Sequence, residues 1–129
     1  MTAVPPRVLV VEDDPDIGRL ILVLLERAGI EGTLCTDGDS GLRAVAELRP
    51  DVLVLDVGLP VLDGWTVLER IRAGTGPRLP VLLLSAHAQE SDRTRGLRMG
   101  ADGFVLKPFR NDDLVTRLRA LLPPAAAAD

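Results

Sequence analysis

The sequence predicts an α/β domain built on an open parallel sheet with helices on both faces. Three observations carry that prediction. Short aliphatic runs, such as Val8-Leu9-Val10-Val11, Val52-Leu53-Val54-Leu55 and Val81-Leu82-Leu83-Leu84, are apolar throughout, as strands buried on both faces must be. Segments with helical spacing separate them, and strict alternation of strand and helix demands right-handed crossovers that place helices on both sides of the sheet. Each run also stops at a polar residue: Glu12-Asp13-Asp14, Asp56, Ser85 and Lys107-Pro108. In an open parallel sheet the carboxyl ends of the strands share one edge, where ligands bind. Residues far apart in the chain therefore converge.

The elements follow in order. Residues 7–11 form the first strand. Asp14-Pro15 starts a helix, because Asp is a good N-cap and Pro is tolerated at the first helical position. Ile17, Leu20, Ile21, Leu24 and Leu25 give it an apolar stripe, and Gly29 suits its end. A weaker strand spans 32–36, and a helix at 40–48 carries Leu42, Val45, Ala46 and Leu48 before Pro50. The third strand, 51–56, is apolar until Asp56 and reads as central. Asp63-Gly64 leads into a helix holding Trp65, Val67, Leu68 and Ile71. Residues 80–85 form the fourth strand. A polar fourth helix spans 91–99, the fifth strand 104–107 and the last helix 111–122. The tail from Pro123 to Asp129 breaks the pattern and is expected to be a frayed end or the start of a truncated linker, so the domain is placed at residues 1–122.

The chain of 129 residues suffices for one domain with a real core. Aromatic residues make up only 2%, so aliphatic packing must build that core. A net charge of -4 gives no electrostatic case for nucleic-acid binding. Cys35 is the single cysteine, which excludes an internal disulfide and a Cys/His metal set; it is expected to be a small strand residue. The N-terminus lacks a basic region followed by an apolar stretch, and no run is long enough to span a bilayer. A cytoplasmic protein is expected.

The convergent polar residues define a chemistry. Asp13, Asp14 and Asp56 are placed at the ends of adjacent strands, where three acids repel unless a cation sits among them. Hard oxygen donors with room for water suit Mg²⁺. Glu12 is expected to alternate away from this group and is the weaker candidate. A carboxylate at Asp56 can act as a nucleophile toward phosphorus, in a reaction that needs positioning and charge neutralisation above all. Lys107 would pair with one phosphoryl oxygen, and Ser85 would donate a hydrogen bond to another. Lys107-Pro108 is a candidate cis bond, which would help orient the lysine.

The stretches VLVVEDDP, VLVLDVGLPVLDGW, PVLLLSA and GADGFVLKPF together resemble the receiver domain of response regulators in bacterial two-component signalling. The match covers residues 7 to about 122. The resemblance implies a flavodoxin-like (βα)5 sheet with strand order 2-1-3-4-5. It implies that Asp56 is the phospho-acceptor, charged by a sensor histidine kinase or a phosphotransfer protein. Asp13, Asp14, Asp56 and the Gly58 main-chain carbonyl are then the Mg²⁺ ligands, and Ser85 and Lys107 bind the phosphoryl group. Ser85 and Phe104 match the family's switch pair, in which the hydroxyl moves toward the phosphate and the ring turns inward. Phe104 lacks a hydroxyl, so switching would rest on ring burial alone.

Two departures stand out. Gly58 replaces a side chain two positions after the acceptor, which opens the approach to Asp56. His87, two positions after Ser85, is a candidate modulator of dephosphorylation, as the one titratable ring near the pocket mouth. The fourth helix, fifth strand and last helix are the expected output face. Their mixed charges read first as a solvated face. They also resemble receivers that dimerise on phosphorylation through salt bridges, with Asp102 and Arg117 as cross-dimer candidates; Gly103 stands where those relatives often carry a second acid.

Three other readings compete. An Mg²⁺-dependent phosphatase with an aspartyl nucleophile needs a general acid where Gly58 stands. A flavin-binding protein needs a hydroxyl- and glycine-rich loop where Glu12-Asp13-Asp14 stands. A degenerate, phosphorylation-independent scaffold would not need all the pocket residues. No DNA-binding motif or membrane segment lies in these residues, and the kinase, stimulus and output, including any role in transcription, are left open by the sequence.

Overall fold

The computed structural model describes residues 4–86 and 90–123. Five strands and five helices alternate: β1 (Arg7–Val11), α1 (Pro15–Arg27), β2 (Glu31–Cys35), α2 (Gly38–Leu48), β3 (Val52–Asp56), α3 (Gly64–Ala73), β4 (Val81–Ser85), α4 (Glu90–Arg98), β5 (Gly103–Leu106) and α5 (Asn111–Leu121). The strands form one parallel sheet in the order β2-β1-β3-β4-β5, the flavodoxin-like arrangement expected from the sequence.

The two-residue period of the strands divides the core into two layers. Leu9, Val11, Leu53, Leu55, Val81 and Leu83 point to one face, where Ala44 of α2 and Val67 and Leu68 of α3 cover them. Val8, Val10, Val52, Val54, Leu82 and Leu84 point to the other, against Ile21 and Leu25 of α1 and Leu114 and Leu118 of α5. All five residues of β3 and of β4 are buried, as central strands require.

Helix starts follow the caps. Asp14 accepts from the backbone N–H of Asp16 and of Ile17 and caps α1, whose first residue is Pro15. Asp63 caps α3 by accepting from Thr66 N at 2.8 Å. The expected start of α2 at Ser40 is corrected to Gly38. Asp37 is the cap: its side chain accepts from Ser40 N at 2.8 Å and from the Ser40 hydroxyl at 2.9 Å. Strand β2 begins one residue earlier than expected, at Glu31, paired with Arg7. The Lys107-Pro108 bond is cis.

One glycine contact matters for the site. A Cβ at Gly64 would fall on the Asp56 carbonyl oxygen and on Val57 Cα. The first turn of α3 therefore rests directly against the backbone of the β3 end. The loop between them holds Val61 at φ 68° with its side chain 90% exposed. A β-branched residue in the left-handed region is strained.

No helix among the described residues is long and apolar enough to cross a membrane. Residues 124–129 of the expected tail, and His87, lie outside the described residues.

Candidate functional site

The register of the parallel sheet builds the site. Val11 pairs with Leu55, so the next residues, Glu12 and Asp56, stand side by side at the carboxyl edge with the same facing. The pairing of β1 with β2 continues through Glu12, whose N–H donates to Cys35 O at 3.0 Å. Glu12 is fully buried and Asp56 is 4% exposed. Asp13, one residue further, is exposed. Carboxylate oxygens of Glu12, Asp13 and Asp56 lie within 4.8 Å of one another, a spacing that one metal ion could bridge.

This corrects the acid set. Asp14, expected among the metal ligands, turns its carboxylate to the α1 N-terminus. Glu12, expected to alternate away, takes its place in the group. The signal was available: β1 and β3 end in register, which puts the residue after Val11 opposite Asp56. The strand's own alternation hid it, because it was counted without its neighbour.

Lys107 reaches the same edge from just beyond β5. Its Nζ lies 2.6 Å from Glu12 Oε1 and 3.1 Å from Asp56 Oδ1. Its backbone N–H donates to Ser85 O at 2.8 Å, which fixes it beside β4. Ser85 itself is fully buried. The Asp14 N–H donates to Glu12 Oε2 at 3.1 Å, and the Gly58 N–H donates to Asp56 Oδ1 at 3.4 Å. Space above Asp56 is open on the Gly58 side: a Cβ there would meet nothing within 4 Å.

The electrostatics follow burial first. Burial pushes the Glu12 carboxyl above its ordinary range; the Lys107 hydrogen bond and the Asp14 N–H offset part of that rise. For Lys107, burial is also the largest single influence and pulls downward. The Glu12 hydrogen bond and the charge of Asp56 together outweigh it, so the ammonium is held protonated above its ordinary value. Both groups are raised: burial prevails at Glu12, whereas at Lys107 the two facing carboxylates prevail and keep the ammonium charged.

Phe104 is 8% exposed and packed in the layer with Leu83 and Leu55. The ring expected to turn inward lies inside in this structure. Asp102 and Arg117, expected as cross-dimer partners, are each engaged within their own chain. Asp102 accepts from Arg72 at 3.1 Å, Arg78 at 2.7 Å and Val81 N at 2.8 Å, tying α3 to the starts of β4 and β5. Arg117 pairs with Asp113 at 3.3 Å on α5. Cys35 is half-buried, and its thiol, 3.7 Å from Ser40 O, is raised in pKa by burial.

The comparisons with known proteins agree with this geometry. The model of the response regulator receiver domain family matches residues 8–119. The transcriptional regulatory protein PrrA of Mycobacterium tuberculosis is 44% identical over 117 residues, covering 91% of this chain and 50% of that protein. The solved chemotaxis response regulator CheY4 of Vibrio cholerae superposes with a TM-score of 0.86 at 28% identity, covering 92% of this chain and all of that one (100%). The receiver domain of the sensor histidine kinase PA1611 from Pseudomonas aeruginosa PAO1, solved with a magnesium ion coordinated in its active site cleft, gives 0.83 at 34% identity, with coverage of 92% and 98%. This chain belongs to the response regulator receiver domain family. It is a signalling module of two-component systems with the CheY-like fold, and it spans about half the length of the curated relatives it matches.

Proposed function

We propose that the chain is a phospho-accepting receiver in which Asp56 takes a phosphoryl group from the phosphohistidine of a sensor kinase or a phosphotransfer protein. The observation that carries this reading is the convergence of Asp56, Glu12, Asp13 and Lys107 at one strand edge, with carboxylate oxygens within 4.8 Å and the lysine bridging two of the acids.

The donor set fits Mg²⁺: hard oxygens only, one of them on the exposed Asp13, which leaves room for retained water. Asp13, Asp56 and the Gly58 carbonyl would hold the ion, with Glu12 behind them. When bound, it supplies neutralisation of phosphoryl charge. The chain's own residues do the rest. Asp56 presents its carboxylate at the end of a fully buried strand and attacks phosphorus. The new bond from its oxygen to phosphorus replaces the bond to the donor nitrogen, which leaves with the donor. Lys107, held protonated, keeps its charge through the transfer and moves from Asp56 to an equatorial phosphoryl oxygen. Ser85 donates its hydroxyl to another, and the open side at Gly58 admits the donor and later water.

The phosphatase reading is not favoured, because Gly58 offers no side-chain acid above Asp56. Incubation with Mg²⁺ and acetyl phosphate tests the proposal without the kinase. Wild type is expected to gain a phosphoryl group and Asp56→Asn none. Lys107→Ala is expected to react at least about tenfold more slowly, the loss of one charge-assisted contact to a developing anion. Asp14→Asn is expected to retain Mg²⁺ binding that Asp13→Asn loses.

A further inference from the structure

The Phe104 ring is buried in this structure, and a second aromatic contact near the site involves α4. Helix α4, with sequence ESDRTRGLR, is the most polar of the helices. Of the residues 91–98, only Gly96 is buried, and Leu97 is 52% exposed. Apolar burial therefore does little to fix this helix.

Two contacts among the described residues help to fix it. Gly96 lets the helix approach the sheet closely: a Cβ there would lie 2.7 Å from Leu83 Cδ1 and 3.7 Å from Trp65 Cζ3. Arg95 stacks its guanidinium carbon 4.3 Å from the centroid of the Trp65 ring, well within cation–π range. Trp65 is half-buried and follows Gly64, the residue that rests on the backbone of Asp56. On the opposite side of α4's attachment, Glu90 follows Ser85 by only five positions. A cleft of about 540 Å³ lies on the surface of α4, bordered by Ser91, Thr94, Arg95, Arg98 and Met99.

We propose that the Arg95–Trp65 stack is a latch that holds α4 against α3 while Asp56 is unphosphorylated, and that loading Asp56 releases it. The inference rests on the phospho-acceptor reading above. Loading adds roughly -1.5 to -2 charges at the strand edge. Ser85, at the end of the strand that precedes α4 in the chain, is drawn toward them. The stack opposes the movement. A partly exposed cation–π contact biases a two-state element roughly two- to fivefold. By linkage, the same factor must appear in the ease of phosphorylation.

The chain carries its own reporter. Trp65 is the single tryptophan and the sequence has no tyrosine, so intrinsic emission reads the surroundings of this one ring. The experiment compares emission, amide exchange of α4 and intact mass in wild type, Asp56→Asn, Arg95→Gln and Arg95→Lys. Mg²⁺ with beryllofluoride is the mimic, and Mg²⁺ with acetyl phosphate the donor. Loading is expected to shift Trp65 emission and quicken α4 exchange in wild type, and to do neither in Asp56→Asn. Unloaded Arg95→Gln is expected to shift part of the way toward the loaded emission and exchange, by the same roughly two- to fivefold change in population. Its phosphorylated fraction at subsaturating acetyl phosphate should be roughly two- to fivefold higher than wild type, and Arg95→Lys should fall between. Arg95 is exposed, so these variants keep the core intact. Phosphoryl uptake by wild type with unchanged emission and α4 exchange overturns the latch alone, as does unloaded Arg95→Gln that behaves like unloaded wild type. No uptake at all overturns the phospho-acceptor reading and the release step with it.

Discussion

Glu12, Asp13 and Asp56 bring like charges within 4.8 Å of one another, while Lys107 is paired with the first and third. Asp13→Asn should therefore stabilise the metal-free protein. A rise of roughly 2–5 °C in Tm is expected, the shift that about 0.5–1 kcal/mol gives a domain of this size, and added Mg²⁺ should no longer raise Tm further. Thermal melts with and without Mg²⁺ check both. Lys107→Met should do the reverse, because it leaves the fully buried Glu12 without its counter-charge. A loss of about 3–5 kcal/mol is expected near pH 7, as for other broken buried pairs. The pH dependence has a definite sign. The Glu12 carboxyl is raised by burial, so the penalty of its charge is absent at low pH and grows as pH rises through the folded value. The deficit of Lys107→Met should therefore shrink as pH falls, because Glu12 binds a proton more readily than an ordinary carboxyl. In wild type Lys107 is raised. Its contribution is present below the unfolded value near about 10.4 and is lost as pH rises through the folded one. Melts across pH check each limb.

At the scale of elements, the structure combines strain beside the site with close packing behind it. Val61 holds φ 68° with an exposed side chain. Val61→Gly is expected to gain about 1 kcal/mol in chemical denaturation, since it removes strain and breaks no core contact. Gly64→Ala should cost about 1–3 kcal/mol or more, because its Cβ has no space against the Asp56 carbonyl. It should also slow phosphoryl uptake by displacing the β3 end. Asp102→Ala removes three hydrogen bonds that tie α3 to β4 and β5. It should lower the stability of the monomer by about 2–4 kcal/mol. These elements also mark where the sequence speaks clearly. The aliphatic runs of β3 and β4 identify buried strands outright, and Asp14-Pro15 and Asp63-Gly64 mark helix starts within a residue. The α2 start was harder, because Gly38 lacks a side chain to show helical periodicity and Asp37 reads equally as a loop acid. The Asp102 cluster was hidden because its three partners lie 21 to 30 residues earlier in the chain.

Across the whole molecule, the strand order brings residues from four separate strand ends to one edge, and this convergence was readable from the places where apolar runs stop. Asp56, Lys107 and Ser85 stand where that pattern puts them. The exchange of Asp14 for Glu12 was not readable from one strand, because facing at the edge is set by the pairing of β1 with β3. The Arg95–Trp65 stack was not readable either, since it depends on how α4 meets α3. The most direct test is the stoichiometry and position of phosphoryl uptake from acetyl phosphate, read by intact mass and by peptide mass after rapid quenching. One phosphoryl group per chain is expected, on the peptide that contains Asp56, present with Mg²⁺ and absent with chelator or in Asp56→Asn. Uptake that persists in Asp56→Asn, or none in wild type with Mg²⁺, would contradict the assignment of Asp56 as the acceptor.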